Sequence, residues 1–106
     1  NHDKLKLASQ YFKKPIINAL SDISHPCQAI SDIYTLKEHF QKEDGFKIVW
    51  CGDLNNVLFS LLESMRFLVS SKILIFTDKK IYEKNHHNFL KLDNISYHYA
   101  SWTTYK

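Results

Sequence analysis

The sequence predicts an α/β fold built on part of a doubly wound parallel sheet. Two continuous apolar runs, "FKIVWCGD" at 46–53 and "KILIFTD" at 72–78, have the length and hydrophobicity of buried strands. A third run, "NISYHYASW" at 94–102, alternates loosely as a strand does. From residue 46 onward the order is strand, helix, strand, helix, strand, which implies parallel strands joined by right-handed crossovers.

The segment before the sheet predicts a helix, a strand and a loop. Residues 3–12 carry apolar side chains at helical spacing, with Asp3 near the start and Pro15 beyond the end. "PIINAL" at 15–20 is a short apolar run with adjacent isoleucines, which favours a buried strand. "SDIS" at 21–24 is typical of a loop.

A longer helix is predicted from Pro26, which suits the first helical position because its missing N–H has no partner there anyway. His25 is then the N-cap residue. "QKEDG" ends this helix, and Gly45 is the predicted stop or turn. One apolar stripe follows the helix at steps of four, three and four, formed by Ala29, Ile33, Leu36 and Phe40.

The two connections between the predicted strands also have helical patterns. "NNVLFSLLESMRFL" at 55–68 predicts a helix with Val57, Leu61 and Met65 on one side, flanked by Leu58 and Leu62. "KKIYEKNHHNFLKL" at 79–92 predicts a loop followed by a short helix.

Length and charge limit the class of protein. The 106 residues suffice for one small domain, and the scattered lysines behind a net charge of +3 disfavour a nucleic-acid binder. Two distant cysteines make no disulfide framework and fit a reducing compartment. The apolar runs are too short to span a membrane, so we expect a cytoplasmic protein. Because residue 1 is not Met, we also expect the chain to begin inside a longer one.

The segment His25-Pro26-Cys27-Gln28 is the first candidate site. An imidazole at the N-cap and a carboxamide in the first turn lie beside the free N–H groups of the helix. Together they offer a donor and an acceptor to a flat polar group such as a carbamoyl. The alternative is structural: His25 caps the helix and Gln28 completes a capping box, which the local pattern alone favours.

The segment Gly52-Asp53-Leu54-Asn55-Asn56 is the second candidate site. It follows a predicted strand, and open α/β sheets bind ligands beyond the carboxyl ends of their strands. Asn56 can offer both a donor and an acceptor to the α-carboxylate and α-amine of an amino acid. In the alternative, Asn55 or Asn56 only caps the next helix. A single glycine excludes a dinucleotide fingerprint.

No metal site or cofactor is predicted. His86 and His87 are sequence neighbours, which face different ways on a helix, so an exposed polar patch is the favoured interpretation. A site made of His25, Cys27 and Cys51 has little support, because Cys51 at a strand end is more simply a small core residue.

The two candidate sites together resemble a known family. "PIINALSDISHPCQAISDIYTLKEHF" and "GFKIVWCGDLNNVLFSLL" carry, in order and at the expected spacing, the Pro-(Val/Ile)-Ile-Asn-(Gly/Ala)-Leu-(Ser/Thr)-Asp, His-Pro-x-Gln and Gly-Asp-x-Asn-Asn-Val motifs of ornithine carbamoyltransferases. The resemblance spans about residues 5 to 77. Asn55 and Asn56 favour the ornithine branch over the aspartate branch, and acceptors such as putrescine or acetylated ornithine remain open.

The resemblance implies a reaction and roles for five residues. His25 hydrogen-bonds the carbonyl oxygen of carbamoyl phosphate and Gln28 holds its NH₂, while Pro26 fixes the helix start and Cys27 lines the pocket. Asn56 binds the backbone groups of ornithine. The products are citrulline and phosphate, in arginine biosynthesis, with no metal and no organic cofactor.

The resemblance also implies an organisation of the chain. Residues 1–42 would be the end of a carbamoyl-phosphate domain with its interdomain helix. Residues 43–106 would be the first half of a Rossmann-like ornithine domain. The full enzyme would be a homotrimer with active sites at subunit borders, and neither nucleic acid nor a membrane would be a partner.

Several family features are absent from this sequence. The upstream Ser-Thr-Arg-Thr loop and the downstream Ser-Met-Gly and His-Cys-Leu-Pro segments are missing, and "ASWTTYK" only faintly echoes the Ser-Met-Gly region. Leu54 also stands where glycine is common. A fragment of an enzyme is the favoured explanation, a decayed gene the other, and we expect the 106 residues alone to be inactive. The alternative function is an inactive ligand-binding or interaction module.

Overall fold

The structure is a computed structural model that describes residues 1–85, 87 and 91–100. The predicted α/β fold is confirmed. In the described residues the elements, in chain order, are α1 (His2–Tyr11), α2 (Pro26–Phe40), β1 (Lys47–Cys51), α3 (Asn56–Ser64), β2 (Lys72–Asp78), α4 (Lys79–Asn85) and β3 (Ile95–Ala100). Every helix among them is too short or too polar to traverse a lipid bilayer.

The three strands form one parallel sheet in the order β1-β2-β3. Lys47 of β1 lies beside Lys72 of β2, and Ile73 of β2 lies beside Ile95 of β3. Each strand therefore pairs with the next one along the chain. The carboxyl ends of β1 and β2 meet at the edge of the sheet from which the α3 segment leaves.

The hydrophobic core lies on one face of this sheet. Ile73, Ile75 and Thr77 of β2 are buried, whereas the residues between them point to the opposite face. From α3 the core receives Leu58, Leu61 and Leu62, and α2 adds Ala29. The helix α4 covers the end of the same face, where the ring of Tyr82 stacks on Tyr99 with 4.6 Å between ring centroids.

The opposite face of the sheet is open to solvent among the described residues. It carries Val49 of β1, which is 61% exposed, and Leu74 and Phe76 of β2, which are each 39% exposed. Lys47 and Lys72 lie on this face at its amino-terminal end. The continuous apolar runs that predicted the strands thus correspond to one buried face and one exposed apolar face.

The helix α2 begins and ends on specific backbone features. Pro26 is its first residue, as predicted. Gln41, not Gly45, terminates it, with left-handed backbone angles φ 49° and ψ 43°. Gln41 lies in the predicted terminating segment "QKEDG", and Gly45, with φ 80°, belongs to the turn into β1, the second of its two predicted roles. Of the predicted stripe along α2, Ala29 is buried, Ile33 and Leu36 are partly buried, and Phe40 is 56% exposed.

A carboxylate fixes the turn between α2 and β1. Asp44 accepts hydrogen bonds from the Ser71 hydroxyl and from the Ser70 N–H at 2.9 Å. The Ser71 hydroxyl also accepts the Phe46 N–H at 2.8 Å. These bonds, led by the one from Ser71, lower the pKa of the Asp44 carboxyl below its ordinary value of 3.8.

The predicted strand at "PIINAL" is wrong. Residues 15–20 adopt no regular secondary structure, and Ile17 is 79% exposed. A strand needs a neighbour to receive its backbone hydrogen bonds, and the sheet in the described residues consists of β1, β2 and β3 alone. The apolar run therefore lacks a partner among these residues.

The prediction for residues 79–92 is also wrong in its order. The helix α4 begins directly after β2 at Lys79, where a loop was expected. The Asp78 side chain accepts the Lys80 N–H at 2.8 Å and so caps the helix start. The predicted later helix and the His86 of the histidine pair fall largely outside the described residues, as does "SWTTYK" after β3.

Candidate functional site

A serine loop at residues 21–25 joins three helices. The Ser21 N–H donates to the Ser24 carbonyl at 2.8 Å, and the Ser24 N–H donates to the Ser21 hydroxyl at 3.1 Å. Asn18 donates from its side chain to the Ser24 hydroxyl at 2.9 Å. Both serines are buried. Their hydroxyls therefore replace water as partners of the backbone in this loop.

The serine loop also holds the start of α1. The His2 N–H donates to the Asp22 carboxylate at 2.7 Å, and Nδ1 of His2 lies 3.1 Å from the Ser21 hydroxyl. The bond from the His2 backbone lowers the pKa of the Asp22 carboxyl below its ordinary value of 3.8. A carboxylate near free N–H groups also suits the positive end of a helix.

His25 ends the serine loop and is the N-cap residue of α2, with φ −130° and ψ 65°. Its side chain makes no capping hydrogen bond, so the capping interpretation of this imidazole is wrong. Instead, its backbone N–H donates to the Ser60 hydroxyl of α3 at 2.8 Å. The imidazole is thus left available for another partner.

The two ring nitrogens of His25 have different surroundings. Nδ1 is buried and has no hydrogen-bond partner among the described residues. A buried N–H without an acceptor is rarer and costlier than a buried lone pair without a donor. Of the two tautomers of an imidazole, these surroundings favour the one that carries its proton on Nε2. Such an imidazole offers one N–H donor.

Gln28 lies in the first turn of α2 and is exposed. It completes no capping box with His25, because its Nε2 donates to the Asp32 carboxylate one turn later at 2.8 Å. An ionised carboxylate only accepts, so the amide nitrogen must face Asp32 and Oε1 must face away. The amide therefore presents an oriented acceptor next to the helix start.

The two asparagines at the start of α3 make different hydrogen bonds. Asn55 is the N-cap residue and accepts the N–H groups of Val57 and Leu58, both at 3.1 Å. Asn56 does not cap the helix. Its Nδ2 donates across to the Ser21 carbonyl at 2.8 Å, and its side chain is half-buried.

The remaining predicted residues, Pro26 and Cys27, lie at the start of α2. Pro26 is its first residue, and the Cys27 thiol lies 3.5 Å from the Asn18 carbonyl. Cys51 is exposed at the end of β1, contrary to the expectation of a core residue. Among the described residues, no group of three His, Cys, Asp or Glu side chains could hold a metal ion.

The structure brings His25 and Asn56 to the same junction between the serine loop and α3, whereas Gln28 is bonded along its own helix. Sequence reasoning missed Ser60, Ser21 and Ser24. The signal for Ser60 was present: it lies four residues after Asn56, on the same helix face, among leucines that the pattern assigned to the core.

A family model matches the amino-terminal part of this arrangement. The model for "Aspartate/ornithine carbamoyltransferase, carbamoyl-P binding domain" matches residues 1–38. That stretch contains α1, the serine loop and most of α2.

Curated relatives extend the similarity along the chain. The ornithine carbamoyltransferase of Thermus thermophilus is 44% identical over 78 residues, which are 74% of this chain and 26% of that protein. The ornithine carbamoyltransferase of Methanocaldococcus jannaschii is 41% identical over 99 residues, which are 93% of this chain and 32% of that protein. This chain thus spans between a quarter and a third of the length of these two relatives.

The fold is shared as well. The crystal structure of ornithine carbamoyltransferase from Thermus thermophilus matches with a TM-score of 0.72 at 33% identity, over 92% of this chain and 33% of that chain. Motifs, curated relatives and fold agree: residues 1–38 match the carbamoyl-phosphate-binding domain of aspartate/ornithine carbamoyltransferases, and over most of its length this chain is similar in sequence and fold to one segment of ornithine carbamoyltransferases.

Proposed function

We propose that the protein containing this chain transfers the carbamoyl group of carbamoyl phosphate to the side-chain amine of ornithine. A carbon–nitrogen bond forms, the bond from the carbamoyl carbon to the phosphate oxygen breaks, and the amine loses a proton. Citrulline and phosphate result. The names of the relatives and the matching carbamoyl-phosphate domain model support this reaction.

The chain would contribute to two substrate sites. We assign residues 1–42 to the end of the carbamoyl-phosphate domain, with α2 as the helix that connects the domains. Residues 43–106 are the first part of the ornithine domain. The limits of the matching family model, 1–38, support a boundary near the end of α2.

His25 would act on the carbonyl oxygen of the carbamoyl group. This oxygen gains negative charge as the amine attacks, and an N–H donor that is already aimed at it stabilises that charge. The observation that carries the proposal is the state of His25: its side chain does not cap α2, and its surroundings favour a proton on Nε2. An N–H donor of this kind needs no proton transfer to act.

Gln28 would hold the other side of the carbamoyl group. Its bond to Asp32 turns Oε1 away from that carboxylate, which makes Oε1 an acceptor for the carbamoyl NH₂. Pro26 fixes the start of the helix, and Cys27 lines the pocket beside it. Holding both polar sides of the carbamoyl group keeps its carbon in place for attack.

Asn56 would bind the α-amine and α-carboxylate of ornithine. One of its two amide hydrogens is donated to Ser21, which leaves the second hydrogen and Oδ1 for a ligand. Because Asn56 touches the serine loop directly, the ornithine site and the carbamoyl site would share one rigid junction. By similarity we also propose a homotrimer as the working form in the cytoplasm, with a place in arginine biosynthesis.

The test is formation of citrulline by the protein at its natural length, with His25→Ala as the variant. We expect wild-type turnover on ornithine and a loss of about a hundredfold or more in His25→Ala, the usual cost of losing one such donor. His39→Ala is the matched control, since His39 is also in α2 but exposed near its other end. The control should keep its turnover.

Thermal unfolding separates a catalytic role from a structural one. Carbamoyl phosphate should raise the Tm of the wild type, because a ligand that binds only the folded state stabilises it. Unchanged turnover per folded molecule in His25→Ala would contradict the role of His25. A wild type that forms no citrulline and shows no shift with carbamoyl phosphate would instead indicate an inactive ligand-binding or interaction module.

A further inference from the structure

A serine hydroxyl on α3 is buried in a position where the helix otherwise presents leucines. Ser60 is 3% exposed and is flanked in the core by Leu58, Leu61 and Leu62. Burying a hydroxyl costs free energy unless it is hydrogen-bonded. Its partner is the backbone N–H of His25, 35 residues earlier, at 2.8 Å.

The backbone of His25 is held on both sides. Its N–H donates to Ser60, and its carbonyl accepts the N–H of Ala29 at 3.3 Å as the first bond of α2. With both backbone groups engaged, the direction in which the Cα–Cβ bond leaves the backbone is fixed. The side chain of His25 has no capping bond to orient it, so the backbone anchor sets the position from which the imidazole extends.

We propose that Ser60 is a positioning residue for His25: its hydroxyl, by anchoring the His25 backbone to α3, holds the imidazole in the orientation that buries Nδ1 and presents Nε2–H. The structural part of this inference stands on the contacts alone. Its consequence for catalysis rests on the proposed carbamoyl transfer.

The same contact couples the two halves of the candidate site. Asn56 and Ser60 are four residues apart on α3 and therefore lie on one face of the helix. Asn56 bonds to Ser21 at the start of the serine loop, and Ser60 bonds to His25 at its end. Any displacement of α3 thus moves the loop that ends in His25.

The first experiment is NMR on the 106-residue chain with ¹⁵N-labelled histidine. In the wild type, the His25 amide should be protected from hydrogen exchange, and its two ring nitrogens should show the separate shifts of a single Nε2–H tautomer. In Ser60→Ala we expect the protection of the His25 amide to fall about tenfold, because the buried N–H then has no acceptor. We also expect the two ring nitrogen shifts of His25 to move toward a common average.

Two variants serve as controls. Ser64→Ala removes a hydroxyl from the next turn of α3, where it donates to the Ser60 carbonyl at 2.9 Å, and should leave the His25 signals unchanged. Ser60→Thr keeps the hydroxyl and should show the same His25 signals as the wild type. A wild-type His25 amide that exchanges as fast as an exposed loop amide would overturn the proposal, even if Ser60→Ala failed to fold. Identical His25 signals in Ser60→Ala and Ser64→Ala would overturn it as well.

The second experiment measures turnover in the natural-length protein. Ser60→Ala should lower kcat about tenfold, the factor that corresponds to one lost hydrogen bond, and leave the KM for ornithine within about twofold. Equal kcat values in Ser60→Ala and Ser64→Ala would overturn the catalytic consequence. If the wild type forms no citrulline, the proposed function fails while the NMR result still decides whether Ser60 positions His25.

Discussion

The carboxamide of Asn56 donates to the backbone carbonyl of Ser21 at 2.8 Å, and this bond links the first turn of α3 to a buried loop 35 residues earlier. Ser21 is itself 4% exposed, so water cannot easily replace a lost donor. The residue that the motif assigns to a substrate is therefore also a structural link.

Replacing Asn56 with alanine should lower the free energy of unfolding. We expect a loss of about 1–2 kcal/mol, because the Ser21 carbonyl would remain buried without its donor. The midpoint of urea unfolding measures this loss. Asn85→Ala is the matched control: that carboxamide donates to Ile81 within α4, and its removal should cost less. Equal losses in the two variants would show that the link to Ser21 adds nothing.

Neighbouring residues of β2 should respond differently to the same truncation. Ile75 is fully buried in the core, whereas Leu74 is 39% exposed on the open face. We expect Ile75→Ala to cost about 2–4 kcal/mol, since it leaves a cavity in the core. Leu74→Ala should cost less than about 1 kcal/mol, because little buried contact is lost. Urea unfolding of both variants gives the comparison, and similar costs would mean that both faces of the sheet are covered.

The hydrogen bonds to Asp44 should make stability depend on pH. Their effect is a lowered pKa, so the unfolded chain binds this proton more readily than the folded one. The stabilisation is present at neutral pH and is lost as the pH falls below the ordinary value of 3.8 toward the folded-state pKa. We therefore expect Asp44→Asn to lower the Tm at pH 7 and to differ less from the wild type in acid.

A matched carboxylate tests whether this effect is specific. Asp93 is exposed near the start of β3, and Asp93→Asn should change the Tm little at either pH. Thermal unfolding of the wild type and the two variants at pH 7 and at about pH 3 gives the Tm values to compare. A constant Tm difference between Asp44→Asn and the wild type over this pH range would mean that Asp44 is not the source of the pH-dependent stabilisation.

Much of the fold could be predicted because its signals are local. Apolar runs at 46–53 and 72–78 predicted β1 and β2, and Pro26 fixed the start of α2. The strand predicted from the apolar run at 15–20 was wrong for a physical reason. Apolar residues favour a strand only where another strand can receive their hydrogen bonds, and a single stretch of sequence does not reveal that neighbour. The start of α4 could not be predicted because its residues are mostly polar and Asp78, which caps it, is also the last residue of β2.

Only part of the candidate site could be predicted from the sequence. His25, Gln28 and Asn56 could be proposed from motifs whose residue types suit a carbamoyl group and an amino acid. The contacts that orient them could not, since Ser60 and Ser21 act across 35 residues of chain. A serine at a core position of a helix is also compatible with mere tolerance of a small side chain. Only the 2.8 Å distance between the Ser60 hydroxyl and the His25 N–H shows that this serine makes a specific hydrogen bond and is not merely tolerated.

The open face of the sheet has a consequence for solubility. Val49, Leu74 and Phe76 expose an apolar surface next to β1, an edge strand of the sheet formed by the described residues, and copies of a chain can associate on such a surface. Lys47 and Lys72 stand side by side at its amino-terminal end, so two such faces repel each other as they approach. Salt screens that repulsion and leaves the apolar attraction intact. Aggregation of this chain should therefore increase with ionic strength, and the two lysines act as its gatekeepers.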